Sequence, residues 1–204
     1  MHPLPMRAPS ILGCLLPFAA LACNSPRGSV RPAELPTIPD VAVSTSPFAE
    51  VHCAYKERAP QAYVFVELTG SYAASGHSIQ EVAQLMQKQG LEPSGPPFGL
   101  FFDDPGSVPV AELRSRIGFP VEVPAAPTAP LRADVLPGAT VAYALAAGAY
   151  PEVPRCYPGI LAYMKRMHWV VAGPICEIYL VEPGSVKDWS ELRCEVQIPV
   201  AMAP

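Results

Sequence analysis

The sequence predicts an α+β domain made of two copies of a strand–helix–strand–strand unit, with a largely antiparallel sheet and the helices on one face. The first observation is a repeat: a Gly-Pro pair followed by an acidic-Pro-Gly-Ser-Val turn occurs at 95–108 and again at 173–186. Pro105 and Pro183, in equivalent turns, are 78 residues apart. The second is that strand-like apolar runs and apolar stripes of helical period alternate in both copies. Since two copies are too few for a solenoid, we predict two half-domains around a shared core with a cleft between them.

The first copy begins with a predicted strand at 62–69, which ends at a Gly-Ser-Tyr break closed by Tyr72. Ser78 is the predicted N-cap of the helix that follows, and Glu81 completes a capping box. An apolar stripe of helical period leads from there to Gly90, a suitable C-terminal stop.

Strands are predicted at 98–102 and 113–123 to complete the first copy, and a further strand at 49–55 to precede it. In the second copy the same elements are a strand at 140–146, a helix at 153–168 and strands at 175–180 and 192–202. The predicted domain therefore covers 50–204, with half one at about 50–124 and half two at about 134–202.

Glu177 is the main candidate site residue, because the repeat places it opposite Gly99 of the first copy. Alternate residues of a strand share a face, so Glu177 and Tyr179 point the same way. The even-numbered residues of 176–180 are expected to form the core under the helices. This leaves Glu177 on the open face of the sheet, lining the cleft.

A carboxylate among apolar neighbours costs several kcal/mol to keep charged unless it is paired. Either Glu177 meets a cation, with help from cation–π contacts, or its pKa rises. The first outcome suits cation binding and the second suits acid–base chemistry. A salt bridge to Arg193 or Lys165 is the structural alternative.

Aromatic residues near the predicted cleft are further candidates for ligand binding. Together with Glu177, the candidate set is Tyr179, Trp169, Tyr150, Tyr72, Tyr157 and Phe101. Tyr72 and Tyr150 each follow a glycine at the end of the first strand of a copy, where they would rim the cleft. Packing in the core is the alternative for Tyr72 and Tyr150.

The N-terminal segment 1–22 has the pattern of a signal peptide, with an apolar run at 11–22 that is too short to span a bilayer. Its end resembles a bacterial lipobox, in which Cys23 would carry the lipid; an ordinary secretory cleavage site is the alternative. Residues 23–49 are proline-rich and predict an extended tether. We expect a protein lipid-anchored to the bacterial cell envelope at its periplasmic face, or otherwise secreted or periplasmic.

Composition limits the other functions. Half of the 204 residues are hydrophobic, the net charge is −4 and no run of Lys or Arg occurs, so nucleic-acid binding is not expected. The histidines show no metal-ligand spacing, and we expect neither a metal nor a cofactor. We expect a monomer. After export the cysteines of the folded part could form disulfides or remain buried thiols, and they are Cys53, Cys156, Cys176 and Cys194.

The doubled unit and the segments 97–105 and 173–180 resemble the GyrI-like small-molecule-binding domain, over roughly residues 50–202. The same fold forms the effector-binding domain of some AraC- and MerR-type activators. The resemblance implies an aromatic cleft in which a glutamate meets cationic or amphipathic ligands. Glu177 stands at the family's glutamate and Trp169 at its tryptophan, whereas Ala146 and Ala147 stand where a histidine is often found.

Three functions follow as hypotheses. The first is a binding protein that captures a small hydrophobic or cationic molecule between its halves. The second is a GyrI-like hydrolase of reactive small molecules, with Glu177 as the base and Tyr179 or Tyr157 as a proton donor. The third is a haem carrier, because a related duplicated fold binds haem.

Overall fold

The computed structural model describes residues 41–122 and 124–204. Within them two α-helices pack on one ten-stranded sheet, which confirms the predicted α+β class. The predicted signal peptide, Cys23 and most of the predicted tether lie outside the described residues. No helix in the described part of the chain is long and apolar enough to cross a membrane.

The elements follow one another in a regular order. The strands are β1 (Ser44–Thr45), β2 (Ala54–Arg58), β3 (Gln61–Thr69), β4 (Phe98–Phe101), β5 (Arg114–Pro120), β6 (Arg132–Leu136), β7 (Ala139–Ala147), β8 (Trp169–Val171), β9 (Ile175–Tyr179) and β10 (Arg193–Met202). The helices are α1 (Ser75–Lys88) and α2 (Tyr157–Arg166). Short 3₁₀ segments, Tyr72–Ala74 and Tyr150–Cys156, lead into them.

The sheet is arranged symmetrically about its centre. The main strands run in the order β7, β10, β9, β4, β5, β3, so each half contributes three neighbouring strands. The halves join where β4 and β9 pair antiparallel, with Gly99 directly opposite Glu177. These two residues are also 78 apart in sequence, so the centre of the repeat and the centre of the sheet coincide.

The outer strands cross between the halves. β2 pairs with β7 of the second half, and β6 pairs with β3 of the first half. The two pairings have the same register, since Ala54 lies opposite Tyr143 and Arg132 lies opposite Phe65. Neither β6 nor the short β8 was predicted, and the extra strand expected at 49–55 is β2, a few residues later.

Local hydrogen bonds repeat as well. The amide of Gly70 donates to the Leu113 carbonyl at 2.8 Å, and that of Gly148 donates to the Leu192 carbonyl at 3.4 Å. Both glycines have a positive φ, of 116° and 137°, which other residues adopt only with strain. At this break the two copies therefore share backbone geometry as well as sequence.

Both helices lie on the same face of the sheet. α1 packs on the first half through Val82 and Met86, and α2 packs on the second half through Ile160 and Met164. Residues directly opposite each other on neighbouring strands point to the same face of the sheet. Ile117 of β5 lies opposite Gly99, Gly99 opposite Glu177, and Glu177 opposite Val196. Glu177 therefore faces the helices.

This result corrects the expected orientation of β9. The alternation was right, but Glu177 and Tyr179 lie on the helix face, while Cys176 and Ile178 lie on the opposite face. That opposite face has an apolar cluster of its own, formed by Tyr63, Phe65, Phe98, Leu100, Leu136 and Cys176. Since both faces of the sheet are apolar, hydrophobicity alone could not assign β9 to one of them.

The helix starts also differ from the predictions. Ser78 is not an N-cap, since α1 already begins at Ser75 and Ser78 is buried within its first turn. The cap lies earlier, where the Ser71 hydroxyl accepts a bond from the amide of Ala73 at 3.3 Å. In the second copy, α2 is shorter than predicted because the proline-containing segment Tyr150–Cys156 is 3₁₀.

Candidate ligand site

Glu177 is a buried carboxylate at the centre of the sheet. Its side chain leaves the middle strand of the sheet towards α2, and the residue is 4% exposed. Gly99 and Val196 flank it on the neighbouring strands. Because the neighbour on one side is a glycine, the carboxylate has an apolar wall there and no hydrogen-bonding side chain.

Two tyrosines bind the carboxylate. The hydroxyl of Tyr157 donates to Oε1 at 2.5 Å, and that of Tyr179 donates to Oε2 at 2.9 Å. Tyr179 lies two residues along the same strand, and Tyr157 is the first residue of α2. The site therefore joins the sheet to the start of the helix that covers it.

No basic side chain within 41–122 or 124–204 forms an ion pair with Glu177. Arg193, the expected alternative partner, instead donates to the carbonyls of Ser190 at 2.6 Å and Leu192 at 2.9 Å. Lys165 is exposed on α2. Burial raises the pKa of Glu177, and the two tyrosine hydrogen bonds oppose that rise.

The surrounding titratable groups are weak acids. Burial and the nearby carboxylate raise the pKa of Cys156 to about 12 and that of Cys194 well above its usual value. The same causes raise the pKa of Tyr157 and Tyr179, so both phenols keep their protons at neutral pH. The sequence left open whether the cysteines form disulfides or remain thiols. In the described segments all four are free thiols.

The aromatic candidates fall into two equivalent ring pairs. Tyr150 packs on Tyr179 with ring centroids 4.8 Å apart, and Tyr72 packs on Phe101 at 4.9 Å. The first pair touches Glu177 through the Tyr179 hydroxyl. The second pair reaches the site from the other half: a Cβ added to Gly99 would lie 3.0 Å from the Phe101 ring.

The hydroxyls of Tyr72 and Tyr150 are held by the backbone. Tyr72 donates to the Asp103 carbonyl at 3.0 Å and accepts from the Asp103 amide at 3.0 Å. Tyr150 donates to the carbonyls of Val181 and Arg193 and accepts from the Val181 amide at 3.2 Å. These hydroxyls anchor the strand ends, which leaves the ring faces as the surfaces available to a ligand.

Trp169 belongs to a separate aromatic group at the end of α2. Its ring is nearly perpendicular to those of Tyr55 and Tyr163, with ring centroids 5.5 Å and 6.1 Å apart. Tyr55 is 55% exposed and Trp169 is half-buried, and Trp169 and Tyr163 pack against the same core cluster as Tyr179. Sequence reasoning missed Tyr55, although its place in the exchanged strand β2 brings it beside the second half.

The site is closed in this structure. The segment before β2 holds the covering elements down: Phe48 is buried in the core cluster, and the Ser46 hydroxyl donates to Glu152 at 2.7 Å. Val51 packs so closely on α2 that a Cβ at Gly159 would lie 2.5 Å from it. A ligand can therefore reach Glu177 only if α2 or the segment Tyr150–Cys156 moves.

The arrangement can do two kinds of chemistry once it opens. A buried carboxylate without a cation attracts a positively charged ligand strongly in a low-dielectric site. A carboxylate of raised pKa, next to two phenols, can also accept and return a proton. The described residues hold no cluster of three His, Cys, Asp or Glu side chains that could bind a metal.

Comparison with known proteins gives the fold a family. The model of the GyrI-like small molecule binding domain matches residues 53–201. None of the curated protein sequences matches the chain. Among solved structures, the C-terminal domain of EcmrR is similar with a TM-score of 0.65 at 16% identity, covering 75% of this chain and 99% of that one. In the EcmrR–DNA complex the TM-score is 0.67 at 16% identity over 74% of this chain, which spans 58% of EcmrR.

Two further structures have the same fold. SAV2435 bound to tetraphenylphosphonium has a TM-score of 0.51 at 16% identity, over 74% of this chain and 94% of that one. A hydrolase from Listeria innocua has a TM-score of 0.51 at 15% identity, over 73% of this chain and 91% of that one. At these identities the likeness concerns the fold alone. The family model, in contrast, covers most of the sequence, and the chain belongs to the GyrI-like small molecule binding domain family.

Proposed function

We propose that this protein is an exported, lipid-anchored binding protein that takes up an amphipathic cation onto Glu177. The observation that carries the proposal is the state of this carboxylate: it is 4% exposed, and its hydrogen bonds come from the two neutral hydroxyls of Tyr157 and Tyr179. A cationic ligand would supply the missing counter-charge.

Electrostatics favours a cation with an apolar body. Removing an ionised carboxylate from water costs several kcal/mol, and a cation bound beside it recovers much of that cost. Aromatic ring faces attract a cation further, and those of Tyr150 and Phe101 lie next to the site. A bulky organic cation is less strongly hydrated than an ammonium ion, so it loses less on entering the core. SAV2435 is a protein of this fold with such a ligand, tetraphenylphosphonium.

Entry of the ligand requires α2, or the segment Tyr150–Cys156 that leads into it, to move. Tyr157 is both the cover of Glu177 and one of its two hydrogen-bond partners, so a ligand that displaces Tyr157 must replace its bond. A cation replaces that bond with a direct charge–charge attraction, which is strong in a low-dielectric site. Binding of cations should therefore shift α2 away from β9, whereas a neutral molecule of the same shape gains nothing in exchange.

Export and anchoring are the second part of the proposal. They rest on the apolar run at 11–22, the lipobox-like residues ending at Cys23, and the proline-rich stretch between Cys23 and the first strand, β1. The tether would hold the binding domain away from the membrane. Mass spectrometry of the N-terminal peptide tests this part: a lipid on Cys23 supports it, and an unprocessed Met1 in the soluble fraction would rule it out.

Titration with tetraphenylphosphonium tests the binding site. The experiment uses a Trp189→Phe background, because Trp189 is 63% exposed and would obscure the fluorescence of Trp169. Glu177→Gln is compared with Glu112→Gln, an exposed glutamate in the first half with the same change of charge. Triphenylphosphine oxide serves as the neutral ligand of similar shape.

We expect the parent protein and Glu112→Gln to bind the cation equally, and Glu177→Gln to bind it at least about tenfold more weakly. The neutral compound should bind weakly to all three proteins. Equal affinity of the Glu177→Gln variant, or equal binding of the neutral compound, would refute a cation site at Glu177.

Hydrolysis is the second candidate function, favoured by the contact of the Tyr157 hydroxyl with Glu177 at 2.5 Å. Here Glu177 would activate water and Tyr157 or Tyr179 would donate a proton to the leaving group. A panel of reactive esters and epoxides tests this candidate. Turnover that persists in Glu177→Gln would exclude Glu177 as the base.

A further inference from the structure

The face of the sheet opposite the helices contains a cavity of about 270 Å³. Its apolar part is formed by Tyr63, Leu100 and Leu136, and the turn at Gly173 closes one side. Its charged lining comes from Arg58 and Arg116, with Asp134 at the wall. It lies on the other face from Glu177 and shares no lining residue with the site described above.

Arg58 lacks a counter-charge in this cavity. Its Nη1 donates to the side-chain oxygen of Gln197 at 3.2 Å, and its Nη2 donates to the Pro137 carbonyl at 3.1 Å. Its Nε is buried without a partner, and in the described ranges no carboxylate forms an ion pair with Arg58. Burial lowers the pKa of Arg58, while the nearby Cys176 thiol opposes this effect.

The other cations that point to this face are paired. Lys56 binds Glu195 at 2.6 Å, and Arg116 binds Asp134 at 2.8 Å. Arg116 also donates to the hydroxyl of Tyr63 at 2.8 Å, which fixes it against the cavity wall. Since Asp134 neutralises Arg116, the charge of Arg58 determines the net sign of the cavity, which is positive.

The fold itself does not require an arginine at position 58. The equivalent residue of the second copy, 78 positions later, is Leu136, which is 7% exposed in the apolar cluster of this face. The same place in the sheet therefore accepts an apolar side chain in one half and carries an unpaired guanidinium in the other. A half-buried charge with neutral partners costs stability, and a bound anion would offset that cost.

We propose that this cavity binds a small organic carboxylate, with the carboxylate on Arg58 and a compact apolar body against Tyr63, Leu100 and Leu136. A guanidinium presents a planar fork of donors that matches a carboxylate, and the apolar wall selects the ligand's body. The volume is near the lower end for small-molecule sites, which suits a ligand with one or two rings.

Calorimetric titration with 2-naphthoate tests this site, and 2-naphthylmethanol is the neutral ligand of the same shape. Arg58→Leu introduces the residue found at Leu136, and Arg58→Lys keeps the charge but loses the planar fork. Lys187→Gln, at an exposed lysine of the second half, controls for the loss of one positive charge. Glu177→Gln distinguishes this site from the proposed cation site.

We expect 2-naphthoate to bind the parent protein, Lys187→Gln and Glu177→Gln alike, and Arg58→Leu at least about tenfold more weakly. Arg58→Lys should lie in between, and 2-naphthylmethanol should bind none of them well. In an amide NMR spectrum, 2-naphthoate should shift Ala172 and Gly173.

Three results would overturn the proposal: no binding of 2-naphthoate by the parent protein at millimolar concentration, undiminished binding by Arg58→Leu, or amide shifts centred on Glu177. If Arg58→Leu does not fold, Arg58→Gln replaces it under the same criteria. The effect of Glu177→Gln on cation binding tests only the proposed function. Whatever its result, the carboxylate site at Arg58 is judged by the three criteria above.

Discussion

Three equivalent positions on the helix face differ in chemistry between the two halves of the sheet. The first half carries Ile79, Gly99 and Phe101, all without a polar side chain. Seventy-eight residues later the second half carries Tyr157, Glu177 and Tyr179, which form one hydrogen-bonded group. A candidate site thus arises from three changes on a scaffold whose central strands pair in the same way in both halves.

The opposite face shows a different kind of change. Lys56 and Glu195 form an ion pair in one half, and at the equivalent positions Asp134 and Arg116 form one with the charges exchanged. The pair is present in both copies although its polarity is reversed. This face therefore has a matched pair of charges at these positions in both halves, whereas the helix face has an acid that forms no ion pair within the described residues.

Gly118→Ala should cause the largest loss of stability, and a much larger one than a substitution at the equivalent position of the second half. A Cβ at Gly118 would lie 2.3 Å from the Val64 carbonyl oxygen, so β3 and β5 would have to separate. We expect a loss of about 3 kcal/mol or more in the free energy of unfolding. The equivalent residue Gln197 has room for its side chain, and Gln197→Ala should cost about 1 kcal/mol through lost hydrogen bonds. Urea unfolding followed by circular dichroism measures both, and equal losses would contradict the close approach at Gly118.

Glu177→Gln should change the pH dependence of stability. Burial raises the folded-state pKa of Glu177 above its unfolded value, so the folded protein loses stability as pH rises from the unfolded pKa through the folded one. Without this ionisation the variant should gain about 1 kcal/mol over the parent at pH 8 and less at pH 4. Urea unfolding at the two pH values measures the difference, with Glu112→Gln as control. A gain that is larger at pH 4 would contradict the raised pKa.

Tyr72→Phe and Tyr150→Phe should lower the free energy of unfolding by equal amounts. Each hydroxyl bonds the amide and carbonyl of one residue just beyond a strand, and also the carbonyl of the arginine that begins the neighbouring strand. Each substitution should therefore cost about 1 kcal/mol, and the two losses should agree within about 0.5 kcal/mol. Chemical unfolding of the two variants provides the test. A much larger loss for Tyr150→Phe would show that its hydroxyl also supports the neighbouring site.

The smallest expected difference is between the coupling free energies of the two ion pairs whose charges are exchanged between the halves. Side chains of Lys56 and Glu195 are 18% and 15% exposed, whereas Asp134 is 52% exposed beside Arg116 at 21%. Double-mutant cycles should give a coupling of about 1 kcal/mol for the first pair and about 0.5 kcal/mol for the second. Salt at 0.5 M should reduce the second coupling more, by about half. A stronger coupling for the more exposed pair would show that burial does not determine the strength of these ion pairs.

The sequence alone predicted the features that depend on local pattern. The alternation in β3 and β7 and the stripes of α1 and α2 were visible as periodic apolar residues, and the repeat singled out Glu177 by its alignment with Gly99. The face of β9 was assigned wrongly because both faces of the sheet are apolar. The hydrogen bond between Glu177 and Tyr157 also depends on where α2 begins. Because the proline-containing segment Tyr150–Cys156 is 3₁₀, the helix begins several residues later than the sequence predicted.

Strand β6 illustrates a second limit. Four of its five residues are exposed and its sequence, Arg-Ala-Asp-Val-Leu, has no clear alternation, so nothing local indicates a strand. It becomes one because β3 offers an unpaired edge. Arg58 was missed for a related reason: its isolation from any carboxylate is a property of the assembled face and is not visible in the sequence around it.

The crossing of β2 and β6 has a consequence for how the protein can be divided. A cut anywhere in 125–131 would leave a first fragment that carries the strand needed by the second, and a second fragment that carries the strand needed by the first. Neither piece could complete its own sheet, so we expect single fragments to stay unfolded and a mixture of the two to recover the native spectrum. The two copies are thus obligate partners on one polypeptide, and melting should occur in a single cooperative step.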